Sequence, residues 1–394
     1  MSQGENKHEM PPNGASRSVP GSLRVLIAAS GTGGHLIPAL HIAKALERAA
    51  PGCVIEFVGA GRPLEEKLVV AAGYVRHVVS SAGVKRRNVV GVLQFLWRLP
   101  LGLAQVVALY RRFRPDVVVG VGGYVSVLPV VVARCMGIPS WCHEAELHPG
   151  LANSVLGYFA RSVSVSFQAT RIRGGARIEF TGHPVRPELA RVDRLGVRDD
   201  APKRLLVLGG SQGARGLDSA VPEVAPLLAD RNIEVVHQCR PESMELVMNC
   251  YRAAQVKASV VSFIDDMAGA YDWSDLIVSR AGASSVAEIA CVNRPAIFVP
   301  YPFQQGTHQS DNARALESLG KALVVEEARP EFGRRLREAL ESLLDPSRYR
   351  SMKGAPSEPR GLQAADRIAA GVLGLVGAGP EPGPQPATAG RAVE

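Results

Sequence analysis

The chain has 394 residues, of which 46% are hydrophobic and 21% charged, with a formal net charge of +8. That content supports two folded cores and excludes a fibrous or wholly disordered chain. Nine basic residues lie between Lys67 and Pro115 with no Asp or Glu among them, so the charge belongs to one surface of the first half. Without a recognition-helix or RNA-binding signature, this argues against a nucleic-acid binder.

Residues 1–21 are polar, carry Pro and Gly, and read as a disordered leader without the apolar run of a signal peptide. Apolar β-like runs follow near 24–29, 54–59, 75–79, 117–121, 140–143 and 162–166. Helices start near Ile37, Leu64, Val89, Ser126 and Gly150. Residues 181–189 (TGHPVRPEL) form a turn-rich exit, and 195–203 read as a linker. A second series of runs lies near 205–208, 234–238, 258–263, 276–279, 296–299 and 322–325. Helices are expected at 330–344 and 363–375, and 377–394 form a Pro/Gly/Ala-rich tail. Strands alternating with helices predict parallel sheets covered on both faces. The expected units are a leader (1–21), a first domain (22–194), a linker (195–203), a second domain (204–353), a C-terminal helical region (354–376) and the tail.

The segment 89–110 is unusually apolar, yet Gln94, Arg98 and Gln105 interrupt it and Pro100 is expected to break or kink it. Lys85–Arg87 precede it and Arg111–Arg114 follow. Apolar surface flanked by arginines suits an anionic membrane face. Two core helices meeting at Leu99–Pro100 are the alternative. The six cysteines have no metal-like or CxxC spacing and read as reduced thiols of a cytosolic protein.

Two glycine turns stand at the ends of the first strand of each series. The first is SGTGGH (30–35), where His35 at a helix start suits a general base, or else a histidine bonded to a nearby carbonyl. Leu36 occupies the place of the third glycine of a dinucleotide fingerprint, which argues against a dehydrogenase. The second turn, GGSQGAR (209–215), offers N–H donors and the Ser211 hydroxyl to a pyrophosphate, or is an ordinary strand–helix turn. In LIVSRAGASSVAEIA (276–290), Ala283, Ser284 and Ser285 form a first helical turn with free N–H groups. Glu288 lies one turn on, where it suits ribose hydroxyls; plain helix capping is the alternative. GVGGY (120–124) and HEAELHPG (143–150) also follow strands and belong at the ligand-binding edge. His143, Glu144 and His148 lack the helical zinc spacing, so no metal is expected.

GTGGH, GVGGY, HE…PG, GHPVR, GGSQGAR, FIDDM, RAGASSVAE and PAIFVPYP…HQ…NA occur in an order that resembles the MurG family of N-acetylglucosaminyl transferases, from about Arg24 to Glu326. The resemblance implies the GT-B fold: two Rossmann-like, doubly wound α/β domains facing a cleft. It implies UDP-GlcNAc as donor, lipid I (undecaprenyl-diphosphate-MurNAc-pentapeptide) as acceptor at the cytoplasmic membrane surface, lipid II as product, and no cofactor. Donor contacts carried over by position are Thr32, Gly33, Gly34, Arg186, Ser211, Ile264, Ala283, Ser284, Ser285, Val286, Ala287, Glu288 and Gln309. Tyr124, His143 and Glu146 fall at acceptor positions, with His35 as the expected base and Glu144 as its rival. Two residues depart from the family pattern: Glu146 stands where Asn is usual after the HE pair, and His183 replaces Asn in the GNPVR motif. A different acceptor, or a nucleotide-sugar binder without catalysis, are the rival readings.

Overall fold

The structure, a computed structural model, describes residues 22–31, 33–80, 89–192, 201–210, 213–302, 308–355 and 359–378, with backbone alone considered for 89–98. The expected leader, most of the linker and nearly all of the tail lie outside the described residues.

Two parallel sheets organise the chain. The first contains β1 (Arg24–Ala28), β2 (Val54–Gly59), β3 (Val75–Val78), β4 (Val117–Gly120), β5 (Ser140–Glu144), β6 (Ser162–Val165) and β7 (Arg177–Phe180), in the order β3-β2-β1-β4-β5-β6-β7. The second contains β8 (Arg204–Leu208), β9 (Glu234–Gln238), β10 (Ala258–Val261), β11 (Leu276–Ser279), β12 (Ala296–Phe298) and β13 (Ala322–Val324), in the order β10-β9-β8-β11-β12-β13. Both are doubly wound, because the strand order reverses direction beside the first strand of each series. β1 and β4 are therefore neighbours, with Ala28 opposite Gly120, and so are β8 and β11, with Leu208 opposite Ser279. The central strands are buried on both faces, which is why they read as unbroken Val/Ile/Leu runs.

That order brings the sequence motifs together. A crevice opens where strand order reverses, outside the strand C-termini. The first glycine turn leaves β1 beside the GVGGY turn leaving β4, and the Ser126 hydroxyl lies within hydrogen-bond distance of both Ala28 O (2.9 Å) and Gly122 O (2.8 Å). In the second sheet, the GGSQGAR turn leaves β8 beside the RAGASS turn leaving β11.

Three local expectations are corrected. The first helix begins at Gly33 rather than near Ile37. The helix Val89–Phe113 runs through Pro100 without a break. Losing one backbone hydrogen bond there is opposed by its C-terminal half, where Val106, Leu109, Tyr110 and Phe113 are buried and Tyr110 donates to Pro129 O at 2.6 Å. The edge strand β7 was not expected, because Arg177 and Ile178 are exposed and give it no apolar run.

The final helix, Gly361–Leu375, crosses back to the first domain. Its residues Ala365, Ile368, Ala369, Val372 and Leu373 share a core with Leu36, Ile42 and Leu46 of the helix Gly33–Ala49. Gly371 lies flat on Trp141 of β5, where any Cβ would enter the indole. In the other direction, Val185, Leu189 and Val192 pack with the core of the second sheet. The chain thus crosses between the sheets twice, and each crossing stitches one domain to the other.

Candidate active site

His35 sits in the first turn of the helix Gly33–Ala49, against the turn that follows β4. A Cβ on Gly122 would lie 2.5 Å from His35 Cδ2 and 2.8 Å from Nε2, and Gly122 has φ +85°. Only glycine permits both that backbone and that approach. Burial lowers the pKa of His35 below its ordinary 6.5, with the Ser30 backbone acting in the opposite sense. The imidazole is therefore neutral at physiological pH.

Glu65, which sequence reasoning did not nominate, fixes the start of this turn. Its carboxylate is 1% exposed and accepts from the Ser30 hydroxyl (2.7 Å) and from the backbone N–H groups of Ala60 (3.1 Å) and Gly61 (2.8 Å). Arg76 stands 3.5 Å away as its counter-charge. A buried carboxylate is tolerable only with such partners. An acidic residue a few positions beyond β2 was the available signal, but its partner Ser30 lies 35 residues away.

Glu144, at the end of β5, accepts from the backbone N–H groups of Glu146 (2.9 Å) and Gly150 (3.1 Å) and from Asn153 Nδ2 (3.0 Å). It folds the 145–150 loop around itself. Burial pushes its pKa up to about 7 against those three donors. His143 points into a polar cluster: Nδ1 is 3.0 Å from Ser164 Oγ, and Nε2 is 3.4 Å from His183 Nδ1. Burial lowers His143 to about 3 and holds His183 well below 6.5, and the neighbouring imidazoles add to both shifts. Tyr124 opens a short 3-10 turn and is 41% exposed.

On the second sheet, the helix Ala283–Val292 begins directly after β11, with Gly282 as its extended N-cap. Ser284, Ser285 and Ala287 are half-buried around that end, whereas Ala283 and Val286 are buried and can offer a ligand only backbone. Glu288 accepts from Arg186 Nε (2.7 Å) and from the Tyr271 hydroxyl (3.0 Å). Two residues expected to contact the donor, 102 positions apart, therefore form one ion pair. Ile264 is half-buried against the same core, ahead of a helix capped by Asp266. Gln309 accepts from Tyr301 N–H at 2.9 Å. Gly33 and Gly34 open the first helix; Thr32 and Ser211 lie outside the described residues.

The two halves touch through these motifs. Asn312, fully buried, accepts from Leu147 N–H (3.0 Å) and donates to the Glu146 carboxylate. His148 Nε2 lies 3.5 Å from Asp311. Glu146, one of the two departures, thus spends its carboxylate on a cross-domain hydrogen bond. Asn312 belongs to the HQ…NA motif but was not singled out, because its partners come from the other domain.

The geometry is that of a two-domain nucleotide-sugar transferase, and comparison with known proteins agrees. Residues 25–165 match the glycosyltransferase family 28 N-terminal domain and residues 204–368 its C-terminal domain. The UDP-N-acetylglucosamine–N-acetylmuramyl-(pentapeptide) pyrophosphoryl-undecaprenol N-acetylglucosamine transferase of Chromohalobacter salexigens is 38% identical over 355 residues, covering 89% of this chain and 96% of that protein. The chain belongs to the MurG family. The protein of the same name from Anaeromyxobacter dehalogenans is 37% identical over 377 residues, covering 93% of this chain and 98% of its own length. The crystal structure of Acinetobacter baumannii MurG matches with a TM-score of 0.70 at 26% identity, covering 89% of this chain and 99% of that one. The expected GT-B architecture is thereby borne out. Among the described residues, no helix is long and apolar enough to cross a membrane.

Proposed function

We infer that the chain transfers N-acetylglucosamine from UDP-GlcNAc to the MurNAc 4-hydroxyl of lipid I, forming lipid II. Its membership of the MurG family supports the reaction. The observation that carries the site is that the first half of the chain reaches the helix that suits a diphosphate, His143 through His183 to Ser284 and Arg186 to Glu288.

The transfer inverts the anomeric centre in one displacement. The MurNAc O4 attacks C1 of the sugar, the C1–O bond to the β-phosphate breaks, and its electron pair leaves with UDP. His35 takes the O4 proton: it is kept neutral by burial and backed by Gly122, and a neutral imidazole is a competent base at pH 7. Glu144 is the rival base, but its oxygens are occupied by two loop N–H groups and the Asn153 amide. Charge growing on the departing diphosphate is met by the N–H groups and hydroxyls of the Ala283–Val292 helix start. Arg186, Ile264, Glu288 and Gln309 orient the nucleotide and sugar; Tyr124, His143 and Glu146 belong to the acceptor side.

The acceptor is lipid-bound, so the first domain docks on an anionic membrane at its cytoplasmic face. Val75 and Val78 on edge strand β3, with Leu101 and Leu103 of the adjoining helix, are 40–54% exposed; Lys67, Arg111, Arg112 and Arg114 of the same domain are exposed too, and Arg112 reaches His77 of β3 at 3.1 Å. Ser80 N–H donates to Gln105 Oε1 at 2.7 Å, which ties that edge to the helix. Lys85–Arg87 lie outside the described residues. Exposed apolar side chains in a domain that also exposes cations suit such a surface. Consumption of UDP-GlcNAc with and without a lipid I analogue tests the reading. Strong dependence on lipid I is expected, and strong preference for an unrelated acceptor would refute it.

A further inference from the structure

A continuous polar chain runs from the core of the first domain to the donor-side helix of the second. Trp141 Nε1 donates to Ser164 Oγ at 3.0 Å, and Ser164 Oγ donates to Cys142 O at 3.2 Å. With the Ser164 proton on Cys142 O, a lone pair faces His143 Nδ1, 3.0 Å away. His143 Nδ1 therefore carries the proton and Nε2 is bare. The Ser166 hydroxyl donates to Glu144 O (3.0 Å), which also accepts from the Ser166 N–H. The one hydrogen available among His143 Nε2, Ser166 Oγ and His183 Nδ1, which lie 3.3–3.4 Å apart, is then on His183 Nδ1. His183 Nε2 is left bare and accepts from the Ser284 hydroxyl at 2.9 Å. Of the two self-consistent proton arrangements of this chain, this is the one in which Ser164 keeps its bond to Cys142 O; in the other every donor from Ser164 to His183 is reversed.

The consequence lies at Ser284. In this arrangement its single hydroxyl proton points at the first domain, while the anion site at its helix start needs donors. A lone pair presented to a phosphate oxygen is repulsive. His183 is 3% exposed and packs against His143 with ring centroids 5.5 Å apart and planes tilted by 43°, so it cannot simply swing aside.

We propose that His183 is a positioning residue that competes with the donor diphosphate for the Ser284 hydroxyl, so that binding of a nucleoside diphosphate breaks the His183–Ser284 link between the domains. This rests on the reading that the Ala283–Val292 helix start holds the diphosphate. In the empty cleft the hydrogen bond ties the domains; with a diphosphate present, Ser284 turns its proton to a phosphate oxygen and the tie is lost. One proton thereby couples donor binding to release of a domain contact.

Calorimetric titration with UDP tests this. His183→Phe keeps the ring volume but cannot accept, so UDP binds roughly five-fold tighter than to the unaltered chain, the worth of one ordinary hydrogen bond. In a Ser284→Ala background the same change shifts the Kd less than two-fold, because the contested proton is gone. His183→Ala gives the same direction should the phenylalanine variant misfold. In the unaltered chain labelled with 15N-histidine, UDP shifts the His183 Nε2 resonance towards that of an unbonded nitrogen. The proposal is overturned by an unchanged Kd in folded His183 variants, by an equal gain without Ser284, or by an unmoved Nε2 signal. Glu288→Ala separates the underlying reading: if it leaves the UDP Kd unaltered, the nucleotide site lies elsewhere and both fail.

Discussion

The imidazole of His35 rests on the backbone of Gly122, so close that a Cβ there would lie 2.5 Å from its Cδ2. The two residues are brought together by the pairing of β1 with β4, with Ala28 opposite Gly120. Gly122→Ala should therefore displace the base without touching the donor side. The φ of +85° adds about 1 kcal/mol of backbone strain to the steric conflict. The expected result is a fall in kcat of about 100-fold or more, with the UDP Kd unchanged in titration.

His35→Ala should lower kcat by roughly 10²–10⁴-fold with little effect on KM for UDP-GlcNAc. The pH profile carries the sign. Burial holds the imidazole neutral below its ordinary 6.5, so the acid limb of kcat in the unaltered enzyme falls below pH 6.5. The residual rate of the variant should lack that limb.

Acid should destabilise the fold through its buried histidines. Burial lowers His143 and His237 to about 3 and His41 to about 4, and lowers His183 strongly. Between those values and 6.5 the unfolded chain holds protons that the folded chain does not. Their contribution is complete above pH 6.5 and is lost as pH falls towards the folded values, at about 1.4 kcal/mol per pH unit for each proton. His41→Gln should remove about one proton from the pH dependence of unfolding between pH 6.5 and 4, measured by urea midpoints.

The Glu146–Asn312 contact predicts an asymmetry. Asn312→Ala leaves both the Glu146 carboxylate and Leu147 N–H without their partner and should cost about 1–3 kcal/mol in denaturant unfolding. Glu146→Gln retains an acceptor oxygen and should cost less than about 1 kcal/mol. Equal losses would mean that the carboxylate charge, not the hydrogen-bond pattern, holds the loop.

Neutralising Arg111 and Arg112, with Arg86 and Arg87, should reduce flotation with anionic liposomes by several-fold and leave UDP binding intact. The loss should shrink at high salt, since surface attraction to anionic lipid is screened. Unchanged flotation would place the membrane-facing surface elsewhere.

The strands were legible because both-face burial leaves unbroken β-branched runs, such as Val117–Gly120 and Leu276–Ser279. The glycine turns and the RAGASS segment were legible because their spacing reports backbone needs. What the sequence could not display was adjacency. Gly122 became the floor beneath His35 only once strand order was known, and Glu65 became the anchor of Ser30 only through the β1–β2 pairing. The cross-domain partners Arg186–Glu288, His183–Ser284 and Glu146–Asn312 are separated by 101–166 residues, beyond the reach of any local pattern. Pro100 misled because its helix-breaking tendency was judged without the buried contacts of Tyr110 and Phe113.

The reaction itself is tested most directly by the product. Purified protein given UDP-GlcNAc and a soluble lipid I analogue should form a GlcNAc–MurNAc disaccharide joined at O4, with the anomeric centre inverted from α in the donor to β by proton NMR, and with one UDP released per disaccharide. Retention of the α configuration, or UDP release without a disaccharide, would contradict the account.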